Sequence, residues 1–129
     1  YQDIRLQCWD TSGDRRFERV IPIFSTRCHI AIYVVDVSRP STLDYALEWY
    51  EIFSSDDDTP QLHVLIINKM DLENKMGPIS ELRKQYPQFA LLTSSARNLD
   101  NCVLRDIAIL GESMVIVQHV PTPRQGCCW

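Results

Sequence analysis

Three short polar segments combine residue types that could hold a nucleotide. Residues 68–71 read Asn-Lys-Met-Asp, and a fixed carboxylate such as Asp71 could accept two charge-assisted hydrogen bonds from the edge of a guanine base. Adenine could not supply those two donors. The same four residue types also suit a solvated turn, and the segment alone does not decide between the two interpretations.

The segments at 10–13 and 94–97 carry weaker signals. Asp10 could orient a magnesium-bound water, and the N–H of Gly13 could meet a terminal phosphate, because glycine lets the backbone approach closely. Asp and Gly are also common turn formers. The backbone N–H groups of Ser95 and Ala96 could hold a base oxygen, although residues 94–97 could equally form a plain polar loop.

The elements predicted around these segments bring all three to one edge of a sheet. Alternating apolar residues predict a first strand from Ile4 to Cys8, and apolar β-branched-rich runs at 31–35 and 64–67 predict two central, parallel strands buried on both faces. The remaining predictions are helices at 17–24, 41–53, 79–86 and 103–114, and a last strand at 89–93. Ser41 and Asp44 have capping-box spacing at the start of the second helix.

This alternation predicts an α/β fold with a mostly parallel sheet flanked by helices. Ligands bind such sheets at the carboxyl ends of the strands, where the three polar segments lie. Residues 1–117 are predicted to form the single domain. Residues 118–129, with two prolines and a glycine among polar neighbours, are predicted to form a flexible tail.

Composition narrows the function classes. With 129 residues and a net charge of −4, the chain offers no basic field for nucleic acid. The apolar runs are far shorter than the ~20 residues of a membrane span. Five cysteines without metal spacing fit reduced thiols and a cytosolic location. The three histidines share no ligand spacing.

Residues 9–17, Trp-Asp-Thr-Ser-Gly-Asp-Arg-Arg-Phe, resemble the WDTAGQERF signature of Rab-type small GTPases of the Ras superfamily. The NKxD and SA-containing loops of that family follow in order. The resemblance implies the P-loop NTPase fold of small GTPases, with GTP or GDP and Mg²⁺ as ligands. It assigns Asp10 to magnesium and Gly13 to the γ-phosphate. The guanine residues that it implies are Asn68, Lys69, Asp71, Ser95, Ala96 and Arg97, the last in the place of a usual Lys.

The resemblance also implies a switch in vesicle and membrane trafficking. Its partners would be effectors, exchange factors, GTPase-activating proteins and the prenylation machinery, and the protein would cycle between the cytoplasm and the cytosolic face of an intracellular membrane. Cys127 and Cys128 look like the double-cysteine end of Rab proteins, where two lipid chains give stable anchoring. Two incidental thiols or a redox pair are the alternatives.

One departure from the family concerns the phosphate-binding loop. None of the glycines, at 13, 77, 111 and 126, begins a Gly-x-x-x-x-Gly-Lys-Ser/Thr loop. The family's first strand, first helix and magnesium-binding Thr loop would lie upstream of Tyr1. We therefore expect these 129 residues to bind GTP weakly or not at all, to leave apolar surface exposed, and to aggregate or adopt a loosened state.

A second departure is Asp14, which stands where the family usually carries the Gln that orients the attacking water. A carboxylate cannot donate as an amide does, so we expect slow intrinsic hydrolysis. Asp14 could instead pair with Arg15 or Arg16. The alternative function is therefore a noncatalytic pseudo-GTPase or a protein-interaction module.

Overall fold

Strands and helices alternate along the chain from residue 30 onward. The computed structural model describes residues 6–25, 28–55, 60–98 and 103–112. The described elements are a 3₁₀ helix (Arg15–Val20), α1 (Ile21–Ser25), β1 (Ile30–Asp36), α2 (Ser41–Ser54), β2 (Leu62–Asn68), α3 (Ile79–Gln85), β3 (Ala90–Thr93) and α4 (Val103–Glu112). This order confirms the predicted α/β class. None of the described helices is long and apolar enough to cross a membrane.

The three strands form one parallel sheet in the order β1-β2-β3. Ile30 lies opposite Leu62 and Asp36 lies opposite Asn68, so β1 and β2 end together. β3 pairs with the second half of β2, as far as Thr93. The carboxyl ends of all three strands therefore meet at one edge, where the sequence predicts the site.

The larger core lies between one face of the sheet and the helices α2 and α3. Leu65 and Ile67 of β2 are fully buried there. α2 contributes Leu43 and Ala46, as its helical spacing predicts, and α3 contributes Leu82. Fully burying an aliphatic side chain contributes about 1.5–3 kcal/mol, so this layer fixes α2 and α3 against the strands.

The opposite face is covered by α4. Ile107 is only 2% exposed and packs with Val64 and Ile66 of β2. Val103 and Leu110, also predicted for this stripe, pack against the same cluster while partly buried. Met114, the last predicted member, lies outside the described residues.

The prediction that β1 is a central strand buried on both faces is wrong for the described sheet. β1 is an edge strand, and its side chains Ile32 and Val34 are 41% and 60% exposed. Their partners in β2, Val64 and Ile66, are covered by α4. A helix about 10–12 Å wide covers roughly two strands spaced about 4.8 Å apart. A single helix on this face therefore cannot bury all three strands of the sheet.

The first predicted strand is not found in the described part of its segment. Ile4 lies outside the described residues, and residues 6–13 are neither helix nor strand. Leu6 and Trp9 are 39% and 64% exposed. Alternating apolar residues become a strand only where a neighbouring strand takes up the backbone hydrogen bonds, and no described strand pairs with this segment.

The start of α2 also differs from the prediction. Its N-cap is Pro40, without a side-chain cap bond, so Ser41 already lies inside the helix and no capping box forms. Thr42 ties the helix to β1 instead: its Oγ1 accepts from the Asp36 N–H at 3.0 Å and donates to the Arg39 carbonyl at 2.7 Å. The helix predicted at 17–24 is present, but it begins at Arg15, and its first six residues, Arg15–Val20, are 3₁₀.

Candidate functional site

Asn68 is the last residue of β2, the central strand of the described sheet. Its carbonyl accepts from the Val37 N–H at 3.1 Å. Its side-chain Oδ1 is buried and has no hydrogen-bond partner among the described residues. A buried acceptor without a donor costs about 1–3 kcal/mol, so this atom suits a ligand or segment that brings an N–H or O–H group.

Lys69 follows in a conformation that side chains rarely adopt, with φ at +62°. Such left-handed backbone costs roughly 1–3 kcal/mol and persists where surrounding contacts enforce it. Its side chain forms an ion pair with the end of β1: Lys69 Nζ lies 2.7 Å from Asp36 Oδ2. The ammonium group of Lys69 is therefore paired with the last residue of β1.

Asp36 contacts the candidate-site residue Lys69, and the sequence did not predict its place there. It is 7% exposed, and its Oδ1 accepts from the Ser38 N–H at 3.0 Å and from the Ser38 hydroxyl at 2.6 Å. Lys69 first, then Ser38 and Arg39, hold the pKa of this carboxyl well below its usual range. The sequence feature that could have indicated this position is an acidic residue directly after the apolar run at 31–35.

Asp71 joins the loop after β2 to the loop after β3. The Ser95 hydroxyl donates to Asp71 Oδ1, and Ser95 is 3% exposed. The Met70 N–H donates to the Ser94 carbonyl at 3.1 Å, which fastens the two loops a second time. The Asp71 side chain is 18% exposed, and the hydrogen bond from Ser95 sets its orientation.

Charge around Asp71 keeps its carboxyl ionised. The hydrogen bond from Ser95 is the largest cause of its lowered pKa, and the charges of Arg97 and Lys69 act in the same direction. The Arg97 guanidinium is 3.9 Å from Asp71 Oδ2 and 80% exposed, an arrangement that contributes little to stability. An ionised, positioned carboxylate fits a ligand edge rich in hydrogen-bond donors.

The last loop is turned tightly at the same edge. The Asn98 N–H donates to the Ser95 carbonyl at 3.0 Å, while Ala96 is exposed between them. The structure thus gathers all six of the residues that the sequence assigned to guanine. The cluster contains Asn68, Lys69, Asp71, Ser95, Ala96 and Arg97.

The residues assigned to magnesium and phosphate are not part of this cluster. No hydrogen bond or ion pair in the described part of the chain joins Asp10, Gly13 or Asp14 to the loops after β2 and β3. Gly13 is exposed, and a Cβ atom there would meet nothing within 4 Å. Within the described ranges, no three or more His, Cys, Asp or Glu side chains form a group that could hold a metal ion.

Asp14 forms its hydrogen bonds and its ion pair with Arg16, two residues along the chain. The Arg16 guanidinium approaches it at 2.7 Å and 3.0 Å from Oδ2 and at 3.1 Å from Oδ1, and the Arg16 N–H donates to Oδ1 at 2.9 Å. Both contacts to Arg16 lower the Asp14 pKa. Of the two predicted partners, Arg16 is the one observed. Arg15 lies 3.8 Å from Glu18.

The lipidation candidates Cys127 and Cys128 lie outside the described residues. Within the described part of the chain, Cys8 is exposed and Cys28 half-buried, and both are free thiols.

Comparisons with known proteins agree with this architecture. Residues 1–71 match the family model described as Roc, Ras of Complex, domain of DAPkinase. The Ras-related protein Rab-19 of Rattus norvegicus is 28% identical over 150 residues, covering 96% of this chain and 69% of that protein. Rab11D of Nicotiana tabacum is 30% identical over 110 residues, covering 81% of this chain and 50% of that protein. RABA5d of Arabidopsis thaliana is 33% identical over 73 residues, covering 57% of this chain and 33% of that protein.

The chain therefore spans between one third and about two thirds of the length of these relatives. The matched family model covers more than half of the chain, and the described elements form a parallel sheet with helices on both faces. The chain belongs to the Ras-type small GTPases and is of the Rab type.

Proposed function

We propose that these residues form the guanine-recognition part of a GTP/GDP-binding switch. The single observation that carries the proposal is the Asp71 carboxylate, which the Ser95 hydroxyl fixes between the loops after β2 and β3. Asp71 accepts the two adjacent donors of guanine, N1–H and the 2-amino group. The N–H groups of Ser95 and Ala96 face the base oxygen, and Lys69 holds the loop in place through Asp36.

The phosphate side of the site rests on the family resemblance. Asp10 orients a water bound to Mg²⁺, and Gly13 meets the γ-phosphate of GTP. Phosphate and magnesium contacts dominate affinity in such sites, and the 129 residues contain no Gly-x-x-x-x-Gly-Lys-Ser/Thr loop. Selectivity for guanine is therefore retained in this chain while affinity for GTP is low.

The Rab-type relatives support a role in membrane trafficking. In this proposal the GTP state orders the segment from Gly13 onward so that an effector binds, and exchange factors and GTPase-activating proteins reset the switch. Cys127 and Cys128 carry two prenyl chains that hold the protein on the cytosolic face of an intracellular membrane, because one chain alone gives only marginal binding.

Equilibrium dialysis with magnesium GDP and magnesium ADP tests guanine recognition. The expected result is weak GDP binding, weaker than low-micromolar, that exceeds ADP binding and is lost in Asp71→Ala. Glu73→Ala, an exposed carboxylate in the same loop, is the matched control and should bind as the unaltered chain does. Equal binding of GDP and ADP would overturn guanine recognition. Low-micromolar GTP binding would overturn only the low-affinity claim.

A noncatalytic interaction module is the second candidate, and one contact favours it. Arg16 pairs with both carboxylate oxygens of Asp14, and this contact competes with the positioning of a water for attack. A chain that neither recognises guanine nor hydrolyses GTP would act through its surfaces alone. Absence of any guanine selectivity in the dialysis experiment, with the fold intact, supports this candidate.

A further inference from the structure

Asp36, the last residue of β1, has a carboxylate whose acceptor positions are filled by its own chain. Its Oδ1 accepts from the N–H and the hydroxyl of Ser38. Its Oδ2 accepts from Lys69 Nζ at 2.7 Å and from Arg39 Nε at 3.1 Å. A carboxylate offers about four lone-pair positions, and these four bonds use them. Asp36 therefore acts on a ligand only through the residues that it holds.

Asp71 carries the second carboxylate at this edge of the sheet, and its acceptor positions are less occupied. The Ser95 hydroxyl donates to its Oδ1. The Arg97 guanidinium stays 3.9 Å from its Oδ2 and is 80% exposed, so this cation contributes only a weak, solvated contact. Acceptor capacity therefore remains for the donors of a base. A second cation that moved onto this carboxylate would compete with those donors, because charge-assisted hydrogen bonds are the stronger kind.

Lys69 is the cation placed to make that competing contact. The Leu72 N–H donates to the Lys69 carbonyl at 2.8 Å, so residues 69–72 form one turn that brings Lys69 close to Asp71. The charge of Lys69 is one of the causes that lower the Asp71 pKa. The Lys69 side chain is 47% exposed, and exposed side chains change rotamer rapidly. The ion pair with Asp36 is therefore what keeps the ammonium group at the end of β1.

Backbone hydrogen bonds join the loops after β1 and β2 independently of this ion pair. The Val37 N–H donates to the Asn68 carbonyl at 3.1 Å, and the Lys75 N–H donates to the Val37 carbonyl at 3.0 Å. Loss of the negative charge of Asp36 would therefore release the Lys69 ammonium without separating the two loops.

We propose that Asp36 is a positioning residue that keeps the Asp71 carboxylate open for a guanine base by holding the Lys69 ammonium away from it. The inference rests on the proposed guanine recognition and adds a determinant of base selectivity that does not touch the base. Without the charge of Asp36, Lys69 turns to Asp71 and competes with the N1–H and 2-amino donors of guanine. Adenine does not supply those two donors, so its binding changes little.

Equilibrium dialysis of Asp36→Asn with magnesium GDP and magnesium ADP tests the proposal, because this variant keeps an acceptor for Ser38 and loses the charge. The GDP-to-ADP binding ratio should fall about twofold to fivefold, the effect of a partly exposed ion pair that the base must displace. Lys69→Met keeps an unbranched side chain and removes the ammonium. Adding Asp36→Asn to Lys69→Met should therefore lower the ratio no further. Asp44→Asn, an equal change of charge at an exposed position of α2, is the matched control that should leave the ratio unchanged.

Carbon-13 nuclear magnetic resonance of the Asp71 carboxyl group near neutral pH measures the competition without nucleotide. The signal should shift in Asp36→Asn, because the Lys69 ammonium moves onto the carboxylate. In Asp36→Asn/Lys69→Met it should match the signal of Lys69→Met. Lys69→Met retains Asp36 and does not depend on the folding of Asp36→Asn, and it should leave the Asp71 signal near its original position.

An Asp71 signal that stays in place in folded Asp36→Asn, or that moves far in Lys69→Met, would overturn the proposal. So would an equal fall in the GDP-to-ADP ratio when Asp36→Asn is added to Lys69→Met, because the effect would then not act through the ammonium group. Circular dichroism checks that each variant keeps its helix content. If the unaltered chain binds GDP and ADP equally, guanine recognition fails, and the carboxyl signal alone decides whether Asp36 holds Lys69 away from Asp71.

Discussion

At the residue scale, the candidate site depends on which polar side chains are fixed. Asn68, Asp71 and Ser95 could be predicted from the sequence, because each follows a buried strand and parallel strands end at one edge. The role of Asp36 could not be predicted from the sequence. Its bond to Lys69 joins residues 33 positions apart, and only the register of β1 against β2 brings them together.

Asp71→Asn should shift base preference from guanine towards xanthine. The amide replaces one acceptor oxygen by a donor, and xanthine carries a carbonyl where guanine carries the 2-amino group. A missing partner in a built site leaves a buried polar group unpaired, so the expected change in the guanine-to-xanthine binding ratio is at least about tenfold. Competition between GDP and xanthosine diphosphate in dialysis measures this. An unchanged ratio would remove Asp71 from the base contact.

His63 should make stability fall in mild acid. Its Nδ1 lies 2.9 Å from the Tyr33 hydroxyl within a cluster of the Tyr33, Tyr50 and Phe89 rings. Burial lowers the His63 pKa, and a hydrogen bond to the Pro60 carbonyl opposes this only in part. The folded state therefore prefers neutral His63. Its contribution is complete above the unfolded pKa of about 6.5 and declines as the pH falls from there towards the folded pKa.

Urea unfolding at about pH 7.5 and about pH 5 measures that loss. His63→Phe should reduce the pH dependence, whereas His29→Gln, at an exposed position, should leave it as it is. Identical pH dependence in His63→Phe and the unaltered chain would contradict the assignment.

Asp14→Gln should raise the hydrolysis rate in a protein that joins these residues to a phosphate-binding loop. The substitution removes the pair with Arg16 and supplies an amide that can both accept from and donate to the attacking water. Single-turnover hydrolysis of GTP is the measurement, with Asp14→Asn as the shorter control. A rate that stays equal or drops in Asp14→Gln would count against this account of Asp14.

At the element scale, continuous apolar runs predicted β1 and β2, and helical spacing predicted α2 and α4. The sequence patterns could not show how much of each face of the sheet the helices cover. The pattern of β1 is that of a strand buried on both faces, yet Val34 is 60% exposed because α4 lies over its neighbour. The segment at 6–10 likewise has strand alternation without a strand to pair with.

Leu65→Ala should therefore cost far more stability than Val34→Ala. Leu65 is fully buried in the core under α2 and α3, so its truncation should lower the free energy of unfolding by about 2–5 kcal/mol. Val34→Ala removes an exposed side chain and should change it by about 0.5 kcal/mol or less. Chemical denaturation of the two variants measures the difference. Similar losses would mean that the exposed face of β1 is covered in solution.

At the scale of the whole molecule, the exposed side of β1 is a self-association hazard. Ile32 and Val34 present apolar surface on an edge strand, and unprotected edges pair with other chains. Ile32→Thr/Val34→Thr keeps β-branched residues and should increase the monomer fraction in light scattering. Ile23→Thr, at a position 70% exposed in α1, is the control. Cooperative thermal unfolding of a fully monomeric, unaltered chain would contradict the predicted aggregation or loosening.

Guanine recognition by the loops after β2 and β3 can be tested residue by residue. Nuclear magnetic resonance of the isotope-labelled chain during titration with magnesium GDP, and separately with magnesium ADP, tests it at each residue. We predict that GDP shifts the amide signals of Asn68, Asp71, Ser95 and Ala96, and that ADP leaves them in place. Equal shifts with both nucleotides, or GDP shifts confined to other parts of the sheet, would contradict the claim.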